Sequence, residues 1–451
     1  MQRSKNIQGL RAIAVVAVLL FHAGWLRGGY VGVDIFYVIS GFLITSLILK
    51  EENFSFANFY NRRAKRLLPA SFLVLAVTAI LFWFLAPSVM RPQFSKDLLA
   101  STWYVSNYLY AHWQNDYQNL GATPSPLIHY WSLAVEEQFY LFWPLLIFLT
   151  RSRLRISIPV VFSFSFLLSL YLVKTSPIFA FYSLPTRAFE LSIGALLAIF
   201  PIRFMSTWIG LLAIAISLYI FDSHTAFPAL PALLPTLGAL AVISSTTENV
   251  FLRNRYVQKI GDWSYSIYLW HWPLLVLPSI YLQRELSLWQ KLLAISICVL
   301  LAALTFNFVE NPLRKMKWNA RKTLVIALAA GTVLSITTIP FNTTNASNDL
   351  ASVRMQPQIY KDGCQLDKQA TKPNLNCIYG DRASTKRVVL FGDSHAAQWF
   401  PAVDSWAKKR SYKLYVMTKS SCPAFDFGLK DLGAFKAALC NQFRANSLKE
   451  I

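Results

Sequence analysis

The sequence predicts a polytopic α-helical membrane protein, with about ten core transmembrane helices plus one linking helix, followed by a partial α/β domain. Three observations carry that prediction. The 451-residue chain is 55% hydrophobic and 15% aromatic. Its apolar residues gather in runs long enough to cross ~30 Å of hydrocarbon as helices. The basic residues behind its formal charge of +21 fall between those runs. A basic soluble protein of that charge would point to nucleic acid. Basic connections between apolar runs point instead to membrane orientation, with the lipid bilayer and not nucleic acid as the partner.

The apolar runs cover 7–26, 30–49, 68–86, 127–150, 156–173, 178–200, 205–221, 226–244, 264–282, 288–309 and 322–340, eleven in all. The first is no cleaved leader: it lacks a small-residue cleavage site and contains Arg11 and His22. With the N-terminus in the cytoplasm, the inner connections hold nineteen Lys and Arg residues, from Arg3 through the 62–66 cluster to Lys322. The outer ones hold five: Arg27, Arg91, Lys96, Lys174 and Arg284. That bias is the positive-inside signature. An odd number of crossings then puts everything beyond about residue 341 outside. Cysteine placement agrees, since Cys364, Cys377, Cys422 and Cys440 all follow that point. Four cysteines allow three pairings, and short loops favour Cys364–Cys377 with Cys422–Cys440.

The chain thus divides into a membrane domain (1–321), a linking helix (322–340), a polar connector (341–386) and a final segment (387–451). In that segment RVVLFGDSHAAQWFPAVDSWAKK reads as strand, turn and helix, and KLYVMTKS as a second strand. About 65 residues follow the start at Arg387, fewer than the ~100 of a usual domain. Ser394 sits on the turn, where an alcohol can act as a nucleophile if a base takes its proton. His395, the last histidine of the chain, is its immediate neighbour.

Ionisable groups within apolar helices are costly and mark functional sites by default. The first run carries Arg11 and His22, almost three turns apart and therefore on one face, ~16 Å apart along the axis. The second carries Asp34. The fourth carries the adjacent acids Glu136 and Glu137, the sixth Arg187 and Glu190 at a spacing that lets them pair, and the ninth His271. Singly, each is compatible with a snorkelling or hydrogen-bonded core residue; together they exceed what an anchor needs. The cluster Arg62, Arg63 and Arg66 serves as a topology signal in itself. Arg62 and Arg66, one turn apart, could also hold the phosphates of a nucleotide-like donor by paired hydrogen bonds.

These residues resemble a known family. Arg11 with His22, then GVDIFYVISGFLIT, FYNRRAKRLLPA, WSLAVEEQFYLFWP, SYSIYLWHWPL and FVENPLRK, in order over residues 5–315, are similar to the signature of the membrane acyltransferase-3 family. FGDSH is similar to the first block of SGNH hydrolases and esterases. The fused architecture resembles bacterial O-acetyltransferases that modify surface polysaccharides such as lipopolysaccharide O-antigen or peptidoglycan. The resemblance implies transfer of an acyl group, usually acetyl, from cytoplasmic acyl-CoA (acetyl-CoA) across the bacterial inner membrane. The acceptor it implies is a hydroxyl of a polysaccharide or lipid-linked sugar, with no metal involved. It implies His22 as base or acyl acceptor, Arg11 as its partner, and Glu136 or Glu137 orienting the imidazole. It implies CoA-phosphate binding by Arg62, Arg63 and Arg66, and a nucleophile position at Ser394. His271 has either a place in this site or a structural hydrogen bond.

SGNH enzymes take their catalytic Asp and His from a terminal Asp-x-x-His block, which this sequence lacks after His395; the expectation is a truncated domain. Two other readings fit the charges. One is a proton-coupled transporter of an acyl group or small carboxylate, against which no matched pair of broken helices is visible. The other is a membrane scaffold for an outer esterase, against which the missing histidine counts.

Overall fold

In a computed structural model, residues 4–113, 124–203, 206–343, 357–425 and 434–451 are described. Arg3 and part of the polar connector lie outside the described residues. The chain forms two compact units, Met1–Thr344 and Asn345–Ile451.

The first unit is helical. In order it contains α1 (Lys5–His22), α2 (Gly32–Lys50), α3 (Phe56–Leu85), α4 (Arg91–Thr102), α5 (Ser106–His112), α6 (Tyr130–Leu149), α7 (Leu154–Thr175) and α8 (Pro177–Tyr182). There follow α9 (Leu184–Ile199), α10 (Thr207–Ile220), α11 (Ala229–Ser244), α12 (Arg255–Leu282), α13 (Leu288–Thr305), α14 (Asn311–Lys315) and α15 (Ala320–Ile336). Each of the eleven apolar runs falls on helix, with three differences. The run 178–200 is two helices, parted at Ser183, whose extended backbone caps α9 ahead of Pro185. α3 starts at Phe56, because the Ser55 hydroxyl accepts from the Asn58 N–H at 3.3 Å, so the basic cluster lies inside the helix. The short α4 and α5 had no counterpart among the runs.

Among the described residues, seven helical segments are long and apolar enough to cross a membrane: Lys5–His22, Gly29–Lys50, Phe56–Leu85, Tyr130–Leu149, Arg151–Thr175, Leu288–Lys315 and Ala320–Phe341. α10 and α11 are apolar but shorter. The protein is therefore a multi-pass membrane protein, with the crossing count by length and composition below the eleven expected.

Two glycine contacts bring the decisive helices together. A Cβ on Gly261 of α12 would stand 2.2 Å from the Gln8 carbonyl oxygen of α1. A Cβ on Gly41 of α2 would stand 1.8 Å from the Leu191 carbonyl oxygen of α9. Hydrocarbon offers no hydrophobic drive between helices, so such small-residue seams let backbones approach and pack.

The second unit has a four-stranded sheet of β1 (Gln365–Leu366), β2 (Ile378–Gly380), β3 (Arg387–Gly392) and β4 (Lys413–Lys419). β3 runs parallel to β4 from Arg387↔Lys413 to Gly392↔Thr418. On the other edge of β4, β1 pairs parallel and β2 antiparallel. The helix Ser394–Arg410 returns from β3 and buries Ala397, Phe400 and Ala407 in a cluster with Leu414 and Val416. Disulfides join Cys364 to Cys377 and Cys422 to Cys440, the pairing that short loops favour.

Gly261→Val should force α1 and α12 apart and lower stability by on the order of 3 kcal/mol. Gly331→Ala is the control, since its Cβ would come no nearer than 3.4 Å to the Trp103 ring and 3.7 Å to Thr102 Cγ2. Thermal melts in detergent should separate the two; equal melting temperatures would remove the seam's importance.

Candidate active site

Inside the first unit, a partly open cavity of ≈ 70 Å³ is lined by Arg11, Ser40, Arg63, Arg66, Ser132, Glu136, Tyr140, Tyr265 and Tyr268, among others. Arg63 and Arg66 are three residues apart and share one face of α3. The Arg63 guanidinium stands 5.0 Å from the centre of the Tyr140 ring. Glu136 accepts short hydrogen bonds from the hydroxyls of Ser40 and Tyr140. Arg11 and Arg66 are within electrostatic reach of Glu310, which also accepts from the Ser266 hydroxyl at 3.3 Å.

From this cavity the polar groups continue through the bundle. Ser132 Oγ and Tyr268 Oη, both lining it, are 2.5 Å apart. Tyr268 Oη donates to the His129 carbonyl at 3.0 Å. One turn along α12, His271 Nδ1 is 2.5 Å from the Tyr268 carbonyl oxygen. His271 Nε2 is 2.9 Å from His22 Nδ1. The His129 ring lies edge-on to His271 at 5.4 Å, and its Nε2 reaches the Leu269 carbonyl at 3.1 Å. Trp272 covers the His22 ring at 4.5 Å, and its indole N–H donates to the Ser125 carbonyl at 2.8 Å. Three imidazoles are thus gathered at the far end of a row that begins at the arginines.

Several expected residues meet here. Arg11, Arg63, Arg66 and Glu136 line one cavity, and His22 is tied to it through His271 and Tyr268. Others take different places. Arg62 pairs with Glu51 at 2.7 Å and is half exposed, so the arginines at the cavity are Arg63 and Arg66 instead of Arg62 and Arg66. Glu137, one residue round the helix from Glu136, is electrostatically coupled to Glu136, Arg63 and Arg66. The group beside His22, expected to be a carboxylate, is the imidazole of His271 at 2.9 Å, because α12 packs along α1. His129 was missed, although it opens the motif that contains both glutamates. Ser40, Ser132 and Tyr268 carried no sequence signal, since their approach is tertiary.

A second charged cluster braces the bundle. Arg187 Nη2 is 2.9 Å from Asp34 Oδ1 and its Nε is 3.2 Å from Glu190 Oε1, all three side chains being at most 1% exposed. The rings of Tyr37, Trp131, Phe181 and Phe227 surround the guanidinium at 5.3–5.7 Å. One cation faces two carboxylates, and the cluster ties α2 to α9.

In the second unit, Ser394 is the first residue of its helix. Asp393 caps that helix, its carboxylate accepting the His395 N–H at 2.9 Å. Gly392, with φ +147°, makes the turn; a Cβ there would stand 2.9 Å from that of Ala396. The His395 ring is 84% exposed and turns its Nδ1 to Asp393 Oδ1 at 3.3 Å. Among the described residues of the chain, no group of three or more His, Cys, Asp or Glu side chains could hold a metal ion.

Comparison with known proteins bears on both units. The family described as "Acyltransferase domain" matches residues 4–309, and that described as "SGNH domain (fused to AT3 domains)" matches residues 363–451. The chain is similar to the peptidoglycan O-acetyltransferase OatA of Listeria monocytogenes, 35% identical over 346 residues, or 69% of this chain and 56% of that one. It is 33% identical over 352 residues to the O-acetyltransferase OatA of Staphylococcus aureus, covering 70% of this chain and 58% of the relative. The match thus spans little more than half the length of these curated relatives. No solved structure matches the chain.

Removing one partner of a buried ion pair leaves the other uncompensated, at a cost of about 3–5 kcal/mol. Arg187→Met should therefore destabilise strongly. Adding Asp34→Asn and Glu190→Gln should restore most of the loss. Melting curves in detergent that show no recovery in the triple variant would mean that packing, not charge balance, governs this cluster.

Proposed function

Because the chain belongs to the acyltransferase family that its residues 4–309 match, we propose that it is an O-acyltransferase. It takes an acyl group, most simply acetyl, from acyl-CoA on the cytoplasmic side of the bacterial inner membrane. It delivers that group to a hydroxyl of a cell-wall polysaccharide outside. The observation that carries the reading is the succession of polar groups from the cavity of Arg63, Arg66 and Glu136, through Ser132 and the Tyr268 hydroxyl that also line it, to His271 on the Tyr268 carbonyl and His22 beyond. Net, the thioester C–S bond breaks, an ester C–O bond forms, and the acceptor's hydroxyl proton leaves with the thiol.

The parts suit that chemistry. Guanidinium groups bind phosphates by paired hydrogen bonds, and the excess of basic residues in the expected inner connections supports a cytoplasmic arginine end. Glu136, hydrogen-bonded by Ser40 and Tyr140, sets a negative charge within electrostatic reach of Arg63. His22 acts as base or acyl acceptor at the other end, and Arg11 lines the cavity together with Arg63 and Arg66. The names of the relatives favour peptidoglycan as acceptor. Ser394 stands at the nucleophile position of the SGNH-like unit, and passage of the acyl group through its ester would divide one difficult step into two easier ones.

Two experiments test this reading. With membranes supplied with acetyl-CoA and a polysaccharide acceptor, His22→Ala should abolish transfer. Arg63→Gln with Arg66→Gln should raise the KM for acetyl-CoA about tenfold, the worth of one or two charge-assisted hydrogen bonds. Arg62→Gln should change it little. Retained transfer in His22→Ala would remove that residue from the chemistry, and an unchanged KM in the double variant would leave the arginines as a topology signal. Separately, a membrane-impermeant thiol reagent should label Lys386→Cys in intact spheroplasts; labelling only after lysis would reverse the proposed orientation.

A further inference from the structure

The proton positions on the two touching imidazoles follow from their surroundings. A backbone carbonyl can only accept, and the Tyr268 carbonyl lies 2.5 Å from His271 Nδ1. His271 therefore carries a proton on Nδ1. In the neutral ring its Nε2 is then an acceptor. That acceptor is 2.9 Å from His22 Nδ1, which must donate to it. A neutral His22 with its proton on Nδ1 carries its lone pair on Nε2.

We propose that His271 is a positioning residue that fixes His22 as the Nδ1–H tautomer, making Nε2 the nitrogen that works in acyl transfer. The inference rests on the acyltransferase reading above and adds to it the identity of the orienting group. It replaces the carboxylate of a serine-hydrolase triad by a neutral imidazole whose own tautomer is set by a main-chain carbonyl. As His22 Nε2 takes the proton of an acceptor hydroxyl, the oxygen bonds to the acyl carbon. The electron pair of the C–S bond leaves on sulfur, and sulfur then receives the proton from Nε2. Throughout, the Nδ1–H of the transient imidazolium stays bonded to the lone pair of His271. An imidazole is suited to this buried place because it orients its neighbour without adding a second charge to the apolar interior.

His129 supports the same arrangement. Its Nε2–H donates to the Leu269 carbonyl at 3.1 Å, on the turn of α12 that bears Tyr268 and His271. Its own carbonyl accepts from Tyr268 Oη at 3.0 Å. Both bonds hold the stretch whose carbonyl sets the proton on His271.

The test uses the full chain in lipid nanodiscs. Magic-angle-spinning spectra of protein labelled with ¹⁵N in its six histidines, with His22 assigned by its loss in His22→Gln, should show Nδ1 protonated and Nε2 unprotonated near neutral pH. His271→Phe removes the acceptor. It should convert the His22 signal to a mixture of tautomers and lower kcat about 100-fold, the lower range of general-base effects, with the KM for acetyl-CoA unchanged. His271→Gln, whose amide oxygen can accept from Nδ1–H, should recover part of that loss. A wild-type spectrum with the proton on Nε2, or a His271→Phe enzyme of undiminished kcat, overturns the proposal. If His271→Phe does not fold, the wild-type spectrum decides alone. Transfer that survives His22→Ala would instead defeat the acyltransferase role of His22, a failure distinct from a wrong tautomer.

Discussion

The contact between α1 and α12 is the constraint on which the rest of the membrane unit depends. Gly261 lets the two backbones close to a distance that no side chain would permit. At that separation the His22 and His271 rings meet at hydrogen-bond distance. Nearer the start of α12, Gln8 Nε2 donates to Asp262 Oδ1 at 2.6 Å, a second polar tie along the same seam. In an apolar interior a polar group without a partner costs several kcal/mol, so each of these contacts fixes helix register as well as position. A shift of one residue would break the tie at Gln8 and turn the two imidazoles away from each other. The site is thus a consequence of how the helices seat, and it forms only when they seat correctly.

Much of this was legible in the sequence, and the remainder has identifiable causes. Long apolar runs announce helices because a membrane demands them, and all eleven runs are helical. The start of α3 was misplaced because a basic cluster reads as a loop, whereas Ser55 had already capped a helix ahead of it. The break before α9 depends on one extended residue, Ser183, within an otherwise apolar run. Arg187 and Glu190 were readable as a pair since they lie on one helix; Asp34 joins them only through the α2–α9 seam. The same limit explains the orienting residue. Glu136 and Glu137 were the natural choice from charge alone, and nothing in a linear reading says that α12 reaches His22. The disulfides were legible because loop length constrains pairing without any knowledge of the fold.

In the second unit the serine turn is complete as a local pattern. The turn Gly392-Asp393-Ser394 is built as a nucleophile turn should be: a strand end, a glycine at positive φ, a capping carboxylate and a serine at the helix start. Asp393 is nonetheless engaged in holding the helix N-terminus, and the neighbouring imidazole faces solvent. A serine alcohol needs a base aligned with its oxygen. On the proposed reading, the two units divide acyl transfer between them: one accepts the donor inside the membrane, the other presents an alcohol outside it.

A row of polar groups through a helical bundle also suits a transporter, so the form of the row matters. Alternating access requires one set of helices to rock against another around the site. Here α1 and α12, which carry the histidine end of the row, are joined by a backbone contact closer than a side chain allows, at Gly261 against Gln8. In the same way α2, which carries Ser40, is joined to α9 at Gly41 against Leu191. The Arg187 cluster, buried beneath four aromatic rings, adds an ionic tie across the second of these seams. Rocking at either seam would strand charge in hydrocarbon or part a close-packed interface. The ends of the row also differ in kind. One gathers guanidinium groups suited to a phosphorylated donor, and the other gathers imidazoles that accept and return protons. A pathway for a single solute has no need of that difference, but a reaction that takes from one molecule and gives to another does.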